Sequence, residues 1–294
     1  MMKALALVLA LPLVACVVGS GGVAPTGGDD TTGGDDGSGT TPTSGLSGHI
    51  TTNTTLSGME AVSASVTIDP GVTVTVMAGT TITVAASASI TVSGTLDIEG
   101  ASGSAVTIGP ATGTAFGGID VEMGGVLTMK YATVTGAEVA TSTSGTTTIS
   151  DSHLSNSPGD LIIMSGGTVT LMYSQLGVEA PASDTTHCNM HFGGAADVIK
   201  VTHTNITNTP ATNPTAPTFG IMFYGGQAAD FTYDNWVMNS TNVDPQPGVS
   251  GDFSNSYFTG TVPSGVGLTV NTPAAARLVA CNGTNDAMCA GVHP

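Results

Sequence analysis

The stretch Met129-Lys130-Tyr131-Ala132-Thr133-Val134 decides the reading of this chain, because its pattern (apolar, two residues, small or polar, one residue, apolar) returns five more times. The copies are ISDSHL from Ile149, LMYSQL from Leu171, VTHTNI from Val201, FTYDNW from Phe231 and FSNSYF from Phe253. Their starts lie 20, 22, 30, 30 and 22 residues apart, and most copies follow a glycine mark such as Gly124-Gly125, Gly145 or Gly225-Gly226. A phrase at this spacing signals a stacked repeat, in which each unit buries its apolar face only against its neighbours.

Upstream of the phrase, residues 65–108 run as short alternating stretches: Val66-Thr67-Ile68, Val72 to Val76, Ile82-Thr83-Val84, Ile90-Thr91-Val92, Leu96-Asp97-Ile98 and Val106-Thr107-Ile108. Turn residues such as Asp69-Pro70-Gly71 and Ser93-Gly94 separate them. Period-2 alternation places Val and Ile on one face and Thr or Ser on the other. Three such strands take up one repeat length, and no helical periodicity competes. A β-sandwich needs hairpins rather than a recurring phrase, a propeller blade is longer, and the calcium-binding nonapeptide pattern is missing after the glycine pairs.

With its DPGVTVTVMAGTTITV and GTLDIEG phrases, the segment resembles the opening coils of surface proteins with a right-handed parallel β-helix of the pectin-lyase-like kind. That resemblance implies an all-β solenoid of three-strand coils over residues 49–275, followed by a C-terminal cap or tail at 276–294. Stacking the phrases predicts two inward columns: Met129, Ile149, Leu171, Val201, Phe231, Phe253, and Val134, Leu154, Leu176, Ile206, Trp236, Phe258. The strand before the phrase predicts further inward positions, Met123, Phe192 and Tyr224, with Val121, Met190 and Met222 two places earlier. Cys188 is in phase with Met190 and Phe192 and reads as a buried, inert thiol. Residues 48–64 and 272–294 are the expected covers for the open coil ends.

The N-terminal residues 1–15 read as a signal peptide: Lys3, then an apolar run too short to span a bilayer. Leu13-Val14-Ala15-Cys16 resembles the lipobox of bacterial lipoproteins. The resemblance implies cleavage before Cys16, acylation of that cysteine and anchoring through several acyl chains; Val17 in place of aspartate favours the outer membrane. Residues 16–48, rich in Gly, Thr and Asp, cannot offset their ordering entropy and read as a disordered tether. Loss of Lys3 leaves Lys130, Lys200 and Arg277 against 21 acidic residues, a balance that repels nucleic acid and anionic headgroups. Cys281 and Cys289 flank a short loop and are placed for a local disulfide.

Chemistry is thinly marked. His187 and His191 would share a helix face and chelate zinc, but a strand spreads four residues over about 13 Å, so they read as solvated and no metal or other cofactor is expected. Lyases of the resembling fold use calcium-binding carboxylates and a basic residue. Lys200 is the nearest substitute, in a column with Thr170, Asp230 and Asp252, where a surface ion pair is the simpler reading. Hydrolases of that fold use an adjacent aspartate pair, and the only such pairs, Asp29-Asp30 and Asp35-Asp36, lie in the tether. No catalytic residue is therefore assigned. The third place of the phrase carries Tyr173, His203 and Tyr233 in consecutive coils, a candidate carbohydrate platform, with a ring ladder that stabilises the turn as the alternative. The expectation is a non-catalytic, lipid-anchored surface protein that contacts the membrane through its lipid and serves adhesion, polysaccharide or matrix binding, or envelope structure. The rival is a polysaccharide lyase or glycoside hydrolase.

Overall fold

The computed structural model describes residues 45–178, 184–194, 197–207, 218–271, 277 and 281–294. The signal peptide, Cys16 and nearly all of the tether lie outside the described residues. Among those described, the chain is all-β, with 27 strands and no helix; no helix is long and apolar enough to cross a membrane. Every strand pairing is parallel, within a 17-stranded and a 10-stranded sheet.

The parallel registers follow the repeats. Strand Val126–Lys130 pairs with Thr95–Glu99 before it and Thr146–Ser150 after it, and the same step continues through Thr168–Met172, Val198–Thr202 and Gln227–Thr232. In the larger sheet two such series run side by side, joined through the ten-residue strand Met59–Ile68. Alternation sets the faces: in Thr73–Met77, Val74 and Val76 are buried while Thr73 and Thr75 stay half-exposed. The first strand, Leu46–Ile50, begins inside the segment assigned to the tether. It pairs with Met59–Ile68, with a register shift between Leu46 and Gly48, and Thr54–Leu56 pairs with Thr73–Met77, so paired strands run through the segment expected as the N-terminal cover.

The six phrases make one corner repeated six times. Their first residues stack in the smaller sheet, from Met129 against Ile149 to Val201 against Phe231, and Phe231 stacks on Phe253 with ring centroids 4.7 Å apart. Their sixth residues stack in the larger sheet, from Val134 through Trp236 to Phe258. Between them, the third residue turns the chain with a positive φ in every copy: Tyr131 45°, Asp151 49°, Tyr173 47°, His203 54°, Tyr233 65° and Asn255 59°. The left-handed region is uncommon outside glycine and costs of order 1 kcal/mol, least for Asn, Asp and His.

The fourth residue of the phrase offsets part of that cost. At the corner its N–H meets a side chain of the next repeat: Ala132 N–H donates to Ser152 Oγ (3.0 Å), Ser152 N–H to Ser174 Oγ, Thr204 N–H to Asp234 Oδ1 (2.8 Å) and Asp234 N–H to Ser256 Oγ. The hydroxyls also donate to a nearby carbonyl of their own strand, as Ser174 does to Met172 and Thr204 to Thr202. Small hydroxyl residues at this place keep buried backbone groups paired.

The predicted inward positions near the glycine pairs need correction. Met123 is 87% exposed, Tyr224 is largely exposed, and Met222 is only half-buried. The registers instead align Val121, Thr143, Met164, Phe192 and Phe223 in one buried column, with Ile119, Thr141, Ile162, Met190 and Ile221 in the next. Aligning sequences on the glycine pairs put Tyr224 opposite Phe192, whereas Tyr224 packs beside Gly193, one residue further on. Cys188 is fully buried, and desolvation, chiefly, pushes its thiol up beyond the range in which it would ionise.

Candidate functional site

The corner column makes a ladder of rings. Tyr173 stacks on His203 (4.9 Å, 25° between planes) and His203 on Tyr233 (4.9 Å, 4°). Residues 277 and 281–294 close both ends of it. The Arg277 guanidinium lies 4.7 Å from the Tyr233 ring centroid, and His293 packs against Tyr173 at 4.6 Å. The three rings therefore turn their faces onto one another, which is the turn-stabilising arrangement. Ring edges and the tyrosine hydroxyls are what the ladder offers a ligand.

Beside the rings runs a second column, the fifth place of the phrase: Thr133, His153, Gln175, Asn205, Asn235 and Tyr257, aligned by parallel register. Asn235 Nδ2 donates to Asn205 Oδ1 (2.8 Å), His153 Nε2 contacts the Gly177 carbonyl, and Gln175 donates to the Leu176 and Gly177 carbonyls. The column is regularly spaced; His153 and Asn205 are half-buried, whereas Gln175 and Asn235 are buried, with their amide groups hydrogen-bonded within the protein. Nothing was assigned to them from the sequence, although the phrase displays the column in full.

The described residues of the C-terminal segment, expected as a cap or tail at 276–294, lie along this side of the repeats. Arg277 N–H donates to Asn235 Oδ1 (2.8 Å) and its carbonyl accepts from Asn235 Nδ2 (3.0 Å). Gly291 N–H donates to the His203 carbonyl (2.8 Å), His293 N–H to Asp151 Oδ1 (3.2 Å) and Ser102 Oγ to the Pro294 carbonyl (2.5 Å). An added Cβ at Gly291 would lie 2.6 Å from Asn205 Nδ2 at a φ of 107°, so only glycine passes there without strain. A disulfide joins Cys281 and Cys289, and within that loop Asn282 Oδ1 accepts from the Thr284 and Asn285 N–H groups.

Between segment and body is a groove of about 870 Å³. Tyr131, Asp151, His153, Gln175, Asn205 and Asn235 line one side, and Ala290 to Pro294 the other. It crosses five repeats, or about 19 Å at the spacing of paired strands.

Charge in and around the groove is spent internally. His293 Nδ1 meets Asp151 Oδ1 at 2.5 Å and Nε2 meets Asp286 Oδ1 at 3.2 Å. Ionised carboxylates only accept, so both ring nitrogens carry protons and the imidazole is cationic. Burial pulls the His293 pKa down, but the hydrogen bonds and charges of Asp151 and Asp286 outweigh it, and the net shift is upward. His203 shifts the other way, through burial first and then the nearby Arg277. Tyr173 is raised by burial, then by Asp286 and Asp151.

The remaining sequence candidates do not converge. His187 and His191 flank one carboxylate, Asp160, at 3.2 and 3.3 Å, a partner not foreseen from the sequence. Among the described residues no group of three or more His, Cys, Asp and Glu side chains is placed to hold a metal ion. Lys200 stands in register with Thr170 and Asp230, and Asp230 with Asp252, as the phrase spacing required. The expected Lys200–Asp230 ion pair is not formed: every ion pair among the described residues has histidine as its cation.

The disulfide loop presents Asp286 to His293 and the Ala287 carbonyl to Arg277 Nη1 (2.8 Å). Cross-linking a loop of this size stabilises by about 2–3 kcal/mol in the chain-entropy account. Replacing both cysteines by serine is expected to raise amide exchange across 281–294 while strand amides in the body keep their protection, as hydrogen-exchange mass spectrometry would show. Comparison with protein-family models, curated proteins and solved structures finds no match to this chain.

Proposed function

We propose that the protein is a non-catalytic, lipid-anchored surface protein of the bacterial envelope that binds an extended, neutral polysaccharide in the groove beneath its C-terminal segment. In this reading the parallel ladders wind as a right-handed β-helix of the pectin-lyase-like kind, and Cys16, in a lipobox, carries the lipid. The observation that carries the reading is the register of His153, Gln175, Asn205 and Asn235 along one wall of the groove.

Paired strands are about 4.8 Å apart, whereas an extended peptide advances about 3.3 Å per residue and falls out of step. A pyranose chain advances by close to one strand spacing per sugar and so keeps step with the column, in which the half-buried His153 and Asn205 are the members open to a ligand. Amides and an imidazole suit hydroxyl and acetamido groups. The formal charge of −17 disfavours a polyuronate, the substrate class of the rival lyase reading.

Chitohexaose and cellohexaose, titrated against the full chain by calorimetry, are the direct test, with polygalacturonate as the charged control. The paired substitution His153→Ala/Asn205→Ala is expected to weaken the bound oligosaccharide at least about tenfold, the equivalent of about 1.4 kcal/mol. Tyr173→Ala/Tyr233→Ala separates a contribution of the ring edges. No binding of either neutral oligosaccharide, or an affinity untouched by the wall substitutions, would refute the groove as the site. New reducing ends or unsaturated uronate products would replace the binder by a hydrolase or a lyase.

A further inference from the structure

We propose that residues 281–294 act as a proton-operated clasp: cationic His293, held between Asp151 of the body and Asp286 of the disulfide loop, keeps the second wall of the groove in place. The regulation of glycan capture rests on the proposed function; the clasp itself does not.

The clasp is fastened at several points, among them Ser102 Oγ to the Pro294 carbonyl and the buried Cys281, Cys289 and Ala290. Its backbone also contributes Gly291 N–H to the His203 carbonyl and His293 N–H to Asp151, and its side chains contribute the His293–Asp151 contact and the packing on Tyr173, while the His293–Asp286 contact lies within the segment and holds the ring in place. Outward from His293, the groups facing it are Asp151 on the corner of the body, Asp286 on the loop and the Tyr173 ring. The Asp151 charge also reaches Tyr131. Arg277 is tied to the same loop through the Ala287 carbonyl and sits at the Tyr233 end of the ladder, with His203 between. Two carboxylates on one imidazolium form a closed charge set; without the proton, two anions face one neutral ring.

The sign follows from linkage. In the unfolded chain His293 has an ordinary pKa of about 6.5, and docking raises it. The stabilisation is therefore complete below that value and lost as pH rises through the docked pKa. Because residues 290–294 form one side of the groove, the closed clasp is the binding-competent state. Capture is then strongest under mildly acidic to neutral conditions and fails under alkaline ones. The low pH side has its own limit: His203, lowered by burial and by Arg277, destabilises the ladder when it protonates.

Amide hydrogen exchange at Gly291 and His293 reads the clasp without any ligand. After correction for intrinsic exchange, protection of both amides is expected to fall by about tenfold for each unit by which docking raises the His293 pKa, as the solution goes from about pH 6 to about pH 9. Strand amides of residues 126–130 serve as the unchanged reference. His293→Gln should leave Gly291 poorly protected at both pH values, and Asp286→Asn should move the transition to lower pH. Protection at Gly291 that does not change with pH in the unmodified chain, or is unchanged by His293→Gln, overturns the clasp. Chitohexaose titration at the same two pH values tests the second half. A clasp transition with no binding at either pH leaves the clasp standing and refutes the glycan reading, whereas binding with a flat exchange profile does the reverse.

Discussion

Trp236→Ala is expected to lower stability by about 3–5 kcal/mol, the range for removing a large buried aromatic. The indole is fully buried in the aromatic end of the core. It stacks on Phe258 (5.8 Å, 15°) and packs against Phe231 and Phe253 at 6.3 and 5.8 Å. Its Nε1 is buried with no hydrogen-bond partner, so Trp236→Phe removes an unpaired donor along with volume and should cost much less than alanine. Urea melts followed by far-ultraviolet circular dichroism separate the two. A partner substitution sharpens the claim, because a Cβ at Gly220 would lie 2.9 Å from the indole and 2.6 Å from the Asn242 carbonyl. Gly220→Ala is then destabilising alone and less so beside Trp236→Ala, with a residual cost from the carbonyl. Additive losses in this double-mutant cycle would contradict the packing described.

The six phrases made the corner legible because each contains a whole corner: an inward residue, a left-handed turn residue, a small group whose N–H needs a cross-repeat acceptor, and a second inward residue. All four constraints recur every turn of the repeat, so one-dimensional alignment suffices. The third series of strands was misphased where alignment leaned on glycine pairs. Gly193 follows directly on Phe192, but Tyr224 intervenes between Phe223 and Gly225, and one residue flips every side chain to the other face. Met123 lies two residues past Val121, the last inward position of its strand.

The groove was hidden for a different reason. Its wall was on view in the fifth place of the phrase, yet amides on an outward strand face read as solvated until something is known to lie over them. What lies over them is fixed by contacts such as His293 to Asp151, 142 residues apart, with no periodicity to announce them. The rings of Tyr173, His203 and Tyr233 drew attention to the right column, one step short of the polar wall. Their mutual stacking is itself a consequence of the repeat: three flat side chains at one turn position have nowhere better to put their faces than on each other.

Asp234→Ser is expected to stabilise the protein at neutral pH and to remove much of the acid-to-neutral slope of its stability. Asp234 takes the fourth place of the phrase, where the other repeats carry Ala132, Ser152, Ser174, Thr204 and Ser256. Its Oδ1 does the acceptor's work for Thr204 N–H, while its Oδ2 is buried with no partner. Burial, first of all, raises its pKa well above the ordinary carboxylate range; the Thr204 hydrogen bond opposes this, the Asp230 charge adds to it, and Arg277 opposes it. A carboxyl raised by folding is held protonated while the unfolded chain ionises near 3.9. Stability therefore falls from about that pH upward, by up to about 1.4 kcal/mol for each unit of the shift, and levels off once the folded group ionises. Serine keeps an acceptor at the corner and carries no charge, so urea melts of Asp234→Ser should match the unmodified chain near pH 4 and exceed it near pH 7. Asp234→Ala also lacks the charge but leaves Thr204 N–H buried without an acceptor, at a cost of about 1–3 kcal/mol. It should fall below the serine variant at both pH values by a similar margin. An unaltered pH slope in both variants would mean that Asp234 is already ionised in the folded protein, and that water or a cation reaches Oδ2.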